Sequence, residues 1–441
     1  MRKSFRSEQE FIVNESPEVS VGESIGWMNR LAASFPAFQN QDYKRYFAGQ
    51  LISLIGTWMQ IVAQGWLVLK LTNSAFLIGL IAALGALPSL LFTLVGGVIV
   101  DRYSKKKILL ITQISAMVLA FVLGILTISE QVKVWEIGLI AFLLGTVNAI
   151  DAPARQSFVS EMVSKEQLPS AIALNSSVFN AARVVGPSMA GLLIALVGTG
   201  SAFMVNGVSY IAVIIALWFI QSDVQPERKN MDTWEAIKEG LSYSYAHPII
   251  RVLILFTAVT SIFGWSYTTL LPIMAQDIFH VGASGLGYLY GSVGLGSLLA
   301  TLFISVFSKK IAPIVFIIGG NALFALSMIA FSYTTSLHMA LLLLFFSGLG
   351  LLSQFAMMNT TIQSLVKSEF RGRVMSIYIL MFIGLTPLGN FEIGWLAEHM
   401  GTGFAIRTGA IIVLVFGQIL FVYRKRIIKG YNEYKAKNGI A

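Results

Sequence analysis

The 441-residue sequence contains no cysteine, and only 12% of its residues are charged. The missing thiols exclude structural disulfides, thiolate-ligated zinc and iron–sulfur clusters. The shortage of charge excludes an ordinary soluble globule, in which about a quarter of residues are charged. Three enzyme signatures are also missing: the Gly-x-x-x-x-Gly-Lys-Ser/Thr phosphate loop, His-Glu-x-x-His and the Gly-x-Ser-x-Gly elbow. The chain is therefore expected to be no enzyme and to hold no cofactor and no metal, and any uphill work would draw on a gradient rather than on ATP. A cleaved signal peptide is not expected either. Residues 1–40 lack a continuous apolar core and carry Glu8, Glu10, Glu15, Glu18 and Glu23.

What is abundant is apolar sequence, 56% of the whole, arranged in stretches of membrane-crossing length. Twelve spans are predicted, centred near Met59, Leu87, Met117, Leu143, Arg183, Ile211, Ile262, Gly296, Leu323, Gly348, Gly384 and Val413. The fold class is all-α and polytopic. The formal net charge of +9 would suggest nucleic acid in a soluble domain. Here the cations lie between spans, so no nucleic-acid partner is expected and their role is to orient the chain. Of the 31 Lys and Arg, only Lys133 falls in a loop on the side away from the termini, while Lys70, Arg155, Arg183 and Arg407 lie in or at the ends of spans. The rest share the side of the termini, which the positive-inside rule assigns to the cytoplasm.

Internal repetition divides the spans six and six. Gly191 to Gly200 (GLLIALVGTG) answers Gly394 to Gly403 (GWLAEHMGTG) at an offset of 203, and Glu161 to Glu166 answers Ser364 to Glu369 at the same offset. Ser104-Lys105-Lys106 returns as Ser308-Lys309-Lys310 at 204. The expected organisation is a tail (1–42), a six-helix bundle (43–221), a linker (222–248), a second six-helix bundle (249–425) and a tail (426–441). Trp234, Ile237, Leu241 and Tyr245 recur at helical spacing in the linker, as in an amphipathic helix lying on a surface. Parallel repeats of this kind place a binding site between the halves, which rock to expose it to either face.

The junction after the second span reads Gly97-x-x-x-Asp101-Arg102-x-Ser104-Lys105-Lys106. It resembles the Gly-x-x-x-Asp-Arg-x-Gly-Arg-Lys motif of the major facilitator superfamily, with serine at the second glycine, and the resemblance extends from about Tyr43 to Arg426. It implies a latch, Gly97, Asp101, Arg102 and Lys105, that engages the eleventh span and favours the outward-open state. Gly97 would let neighbouring helices approach. In the fifth span Ala182-Arg183-Val-Val-Gly186-Pro187-Ser-Met-Ala190-Gly191 resembles the antiporter motif of the superfamily, with alanine at two glycine positions.

Asp151-x-Pro153-Ala-Arg155-Gln156, with Ala171 to Ser176 after it and Leu51 to Gln60 before it, is similar to the enterobactin-exporter-like branch, whose members export siderophores or hydrophobic drugs. Asn148, Asp151 and Arg155 share one helical face by spacing. Arg183, near the middle of its span, needs a partner, and Asp151 is nearest by depth. That pair reads either as a fixed stitch or as a proton-responsive switch. Glu392, an acid within the eleventh span, is a second candidate for coupling and otherwise a carboxylate that snorkels. Gln60, Gln64, Asn148, Asn180, Trp265, Tyr288, Gln354 and Met358 are candidates for a substrate cavity.

The expected function is export of a small organic molecule by alternating access in exchange for protons. The setting would be the bacterial cytoplasmic membrane, with the protein a lipid-embedded monomer and both termini inside. An importer or facilitator of the same fold, and a non-transporting receptor or scaffold, stand as alternatives.

Overall fold

A bilayer interior offers no water to the backbone, so each apolar stretch must close its hydrogen bonds within itself, and the helix does so. The computed structural model describes residues 35–220, 233–308 and 310–437. The tail before residue 35, residues 221–232, Lys309 and the last four residues lie outside the described residues, as do the side chains of Trp234 and Ile237.

Twelve helices are long and apolar enough to cross a membrane. They are α1 (Gln41–Thr72), α2 (Ala75–Arg102), α3 (Lys105–Ile128), α4 (Val134–Met162), α5 (Leu168–Val197), α6 (Thr199–Phe219), α7 (Pro248–Ile278), α8 (Gly282–Phe307), α9 (Pro313–Phe331), α10 (Leu337–Leu365), α11 (Glu369–Met400) and α12 (Thr402–Lys437). Each expected span centre falls inside one of them, and no strand occurs among the described residues. The even number brings residues 35 and 437 to one face, the terminal face; the other is the distal face.

Local chemistry sets several boundaries. The Asn40 side chain accepts hydrogen bonds from the Asp42 and Tyr43 amides at the start of α1, and Ser74 and Ser104 cap α2 and α3 in the same way. Gly198 and Gly401 end α5 and α11 with φ of +94° and +88°, values that strain any residue with a Cβ. They stand 203 residues apart, the offset of the sequence repeat.

Packing repeats as well. In the first half α1 packs on α5 and α6, α2 on α4, and α3 on α4 and α6. In the second half α7 packs on α11 and α12, α8 on α10, and α9 on α10 and α12. These are two six-helix bundles of one design, joined mainly where α2 meets α11 and α5 meets α8. Tyr288, Leu295, Leu299 and Leu302 form an exposed stripe along α8, an outer surface suited to lipid.

Two helices are irregular. A π-helical turn occupies Thr260–Trp265 of α7, and another occupies Leu380–Gly384 of α11. The Ser261 hydroxyl donates to the Phe382 carbonyl at 2.6 Å and ties the two turns together. The linker helix (Thr233–Ala246) lies against the start of α11, with Tyr243 stacked on Phe370 at 4.5 Å and Glu239 paired with Arg373. Leu241 and Tyr245 remain 49% and 72% exposed, so this helix turns part of its apolar face away from the protein.

Candidate functional site

The site is defined first by where the halves touch. Near the distal ends of α5 and α8, a Cβ at Gly191 would stand 2.6 Å from the Ala283 carbonyl oxygen and 2.8 Å from the Gly287 Cα. Near the distal ends of α2 and α11, a Cβ at Gly394 would stand 2.8 Å from the Gly79 Cα and 2.9 Å from the Ala75 oxygen. No side chain fits at either crossing, so the backbones meet directly. A polar clasp sits beyond the second crossing. Glu398, at the end of α11, accepts hydrogen bonds from the Ser74 hydroxyl and the Phe76 amide, both at 3.0 Å, and so lies at the N-terminus of α2.

Toward the terminal face the seams open. The α5–α8 seam reaches Ser188 against Gly291 and Val184 against Gly294, and the α2–α11 seam reaches Leu90 against Gly384. Along the side of α5 between its contacts with α1 and α8, Ile172, Ser176 and Phe179 are exposed, Asn180 and Arg183 are half-buried, and Pro187, Ala190 and Ile194 are buried. This stripe describes a cleft between the halves, open at the terminal face, with Arg183 on its floor.

Arg183 faces the second half. Its guanidinium lies 4.3 Å from the ring centre of Trp265 in α7 and 5.9 Å from that of Trp58 in α1. Trp265 is backed by Phe355 and Phe382 at 6.0 and 5.8 Å, and Trp58 meets Phe179 edge to face at 5.7 Å. Among the described residues Arg183 has no acidic partner and no hydrogen-bond acceptor. A central arginine costs about 2.5–3.5 kcal/mol to insert. A good cation–π contact returns about 0.5–2 kcal/mol. The rings offset part of the cost and leave the five N–H donors unfilled.

The expected pairing of Arg183 with Asp151 is thus corrected. Asp151 pairs with Arg155 one turn along its own helix at 2.9 Å. Its other oxygen accepts from Thr112 and Gln113 of α3 at 2.8 and 2.9 Å. The i,i+4 spacing satisfied the acid locally, before α5 could compete. Asn148, Asp151 and Arg155 do come together, lining a cavity of about 30 Å³ with Gln50, Ser53, Thr57, Gln113 and Tyr210. Organic ligands take pockets of about 300 Å³ or more, so this is no substrate site in the present state. Thr112 and Gln113 were missed by sequence reasoning, because polar residues on a neighbouring helix carry no spacing signal.

Several other candidates also fall elsewhere. Gln60 accepts from Asn206 at 2.5 Å inside the first bundle. Gln354 donates to Thr260 at 2.8 Å, and Met358 meets the Thr257 hydroxyl at 3.8 Å, both fully buried inside the second. Each of these three serves packing between helices of its own half. Tyr288 is 63% exposed on the outer stripe of α8. Gln64 is half-buried beside Gly65, where α1 approaches Pro272 of α7. Glu392 shares its side of α11 with the exposed Leu388 and Trp395 and has no ion pair among the described residues. Trp265 and Asn180 are the cavity candidates that reach the cleft. Trp58 was not singled out, although it sits within the recognised Leu51-to-Gln60 stretch.

The expected latch is disengaged here. Asp101 and Arg102 are exposed, and Asp101 has no ion pair among the described residues. A Cβ at Gly97 would meet nothing, whereas one at Gly96 would stand 2.6 Å from the Ala149 oxygen, so the close helix approach is made by the earlier glycine. Lys105 is buried and pairs with Glu161 of α4 at 3.0 Å, inside the first half rather than across the cleft. In α5, Gly186 packs on α1, where a Cβ would stand 2.7 Å from the Ile55 oxygen. Pro187 is buried beside it.

Comparison with known proteins fits this geometry. Residues 32–438 match the family described as transmembrane secretion effector. The staphyloferrin A transporter of Staphylococcus aureus is 25% identical over 396 residues, covering 88% of this chain and 97% of that protein. The multidrug efflux pump Tap of Mycolicibacterium fortuitum is 24% identical, covering 84% and 93%. Macrolide efflux protein A of Streptococcus pyogenes is 21% identical, covering 86% and 95%. Among solved structures, a bacterial homolog of the human lysosomal transporter Spinster, inward-facing and unoccupied, superposes with a TM-score of 0.66 at 16% identity, covering 89% of this chain and 98% of that one. A D-xylose–proton symporter gives 0.67 at 12% identity, covering 85% and 96%. The chain is a multi-pass membrane transporter of small molecules and no enzyme, and it belongs to the transmembrane secretion effector family of the major facilitator superfamily, with drug efflux proteins and a siderophore transporter among its relatives.

Proposed function

We propose that this transporter moves its substrate out of the cytoplasm in exchange for protons, acting as a monomer in a bacterial cytoplasmic membrane with both termini inside. The cleft opens on the terminal face, the face rich in cations, so in this state the site communicates with the cytoplasmic side. An exporter loads its cargo through such an opening. The observation that carries the outward direction is the naming of this chain's relatives as efflux proteins.

For coupling, Asp151 is the favoured group, since it is the one acid buried among the described residues. The repeat offset maps Asp151 and Arg155 onto Gln354 and Met358 of the second half. The fold therefore packs this place without an ion pair in one half and keeps one in the other, which supports a working role for the pair beyond stitching helices. In the present state three donors hold the carboxylate, so exchange of a proton requires this network to open later in the cycle.

Transport in proteoliposomes tests the reading. Substrate efflux should drive protons the opposite way and should slow when an ionophore collapses the proton gradient. Export that runs unchanged without the gradient would sink the antiport mechanism. Accumulation toward the terminal face would reverse the direction.

A further inference from the structure

Arg183 is left with a task that coupling does not fill. A guanidinium stays protonated throughout any physiological cycle, so it cannot be the group that exchanges protons. It is supplied by the first half, lies against Trp265 of the second, and sits on the floor of the open cleft with five donors lacking acceptors among the described residues. Asn180, one turn nearer the opening, donates to the Ser176 carbonyl, and its side-chain oxygen accepts no hydrogen bond among the described residues. Arg183 lies over one face of Trp265 and near the ring of Trp58, and its charge disfavours a second cation beside these rings.

We propose that Arg183 binds an anionic group of the cargo, a carboxylate or comparable oxyanion, and that Trp58, Phe179 and Trp265 take an apolar or planar portion beside it. The proposal rests on the reading of the inter-half cleft as the cargo site of an exporter, and it narrows that cargo to organic acids. A planar oxyanion matches the guanidinium fork with two parallel hydrogen bonds. In a cleft of low dielectric the same charge repels cationic compounds and gives neutral ones nothing. Binding would also neutralise the one central cation before the halves rock, so that it need not face a closing apolar seam unpaired.

The test uses the purified full-length transporter in lipid nanodiscs and three probes of one shape: 2-naphthoate, its methyl ester and 2-naphthylmethylammonium. Calorimetric titration should find the acid binding on the order of tenfold or more tighter than the ester, with the ammonium probe weakest. Arg183→Gln should erase the preference for the acid over the ester. Arg183→Lys should retain part of it, since the charge stays and the fork is lost. Equal binding of acid and ester by the unaltered protein, or preference for the ammonium probe, overturns the proposal even if no variant folds. An acid preference that survives intact in a folded Arg183→Gln also overturns it. Failure of proton exchange with acid selectivity retained would sink the coupling mechanism and leave this site standing. Proton-coupled efflux with equal binding of acid and ester in the unaltered protein would do the opposite.

Discussion

At the scale of single residues, the charge pair Asp151–Arg155 shows how spacing can be right and partnership wrong. The i,i+4 relation was legible in the sequence, and so was the sharing of one face. The partner across helices was not, because a one-dimensional reading ranks candidates by depth while the fold ranks them by reach. The repeat offers a clean experiment. Asp151→Asn alone leaves the half-buried Arg155 without its counter-charge, at less than the about 3–5 kcal/mol of a fully buried break. The double variant Asp151→Gln with Arg155→Met copies the residues that the second half already packs at Gln354 and Met358. It should recover most of the melting temperature that the single variant loses. It should also retain substrate counterflow while proton-driven uphill transport falls about tenfold or more. Normal uphill transport by the double variant would show that the proton is exchanged elsewhere.

At the scale of helices, the sequence was at its most readable. All twelve spans were legible, because a bilayer demands length and apolarity together and punishes every exception. The repeated Gly-Thr-Gly segments foretold more than duplication. Gly191 and Gly394, equivalent by the offset of 203, are the two points where the halves cross backbone to backbone, and Gly198 and Gly401 end their helices in matching positive-φ turns. The π-helical turns of α7 and α11 were invisible, since an extra residue per turn leaves no mark on hydropathy. The clasp at Glu398 went unread for another reason: its equivalent in the first half is Ala195, so the repeat gave it no echo. Glu398→Gln keeps the shape but removes the charge from hydrogen bonds to the Ser74 hydroxyl and the Phe76 amide. Because the clasp is exposed, the loss should be about 1 kcal/mol or less. Spin labels on the distal face should report up to several-fold more of the distal-open state. An unchanged distance distribution would show that the glycine crossings alone hold that face shut.

At the scale of the whole molecule, one sequence must satisfy two arrangements, and only one of them is seen here. The junction at Asp101 reads as a latch in the sequence and stands open in the structure, consistent with a contact that belongs to the opposite state. Asp101→Asn should therefore insert and orient normally while shifting the population toward the terminal-open arrangement. Labels at Lys107 and Arg371 on the terminal face, convenient in a chain without cysteine, should give a short and a long distance in the unaltered protein and mainly the long one in the variant. Wrong topology in Asp101→Asn would reduce the motif to a charge signal. The two glycine crossings carry a mechanical consequence of their own. Surfaces without side chains have no teeth to unmesh, so each crossing can act as a bearing. Two bearings on one body define an axle. The line through Gly79 with Gly394 and through Gly191 with Gly287 is where one half can roll on the other without repacking a rotamer.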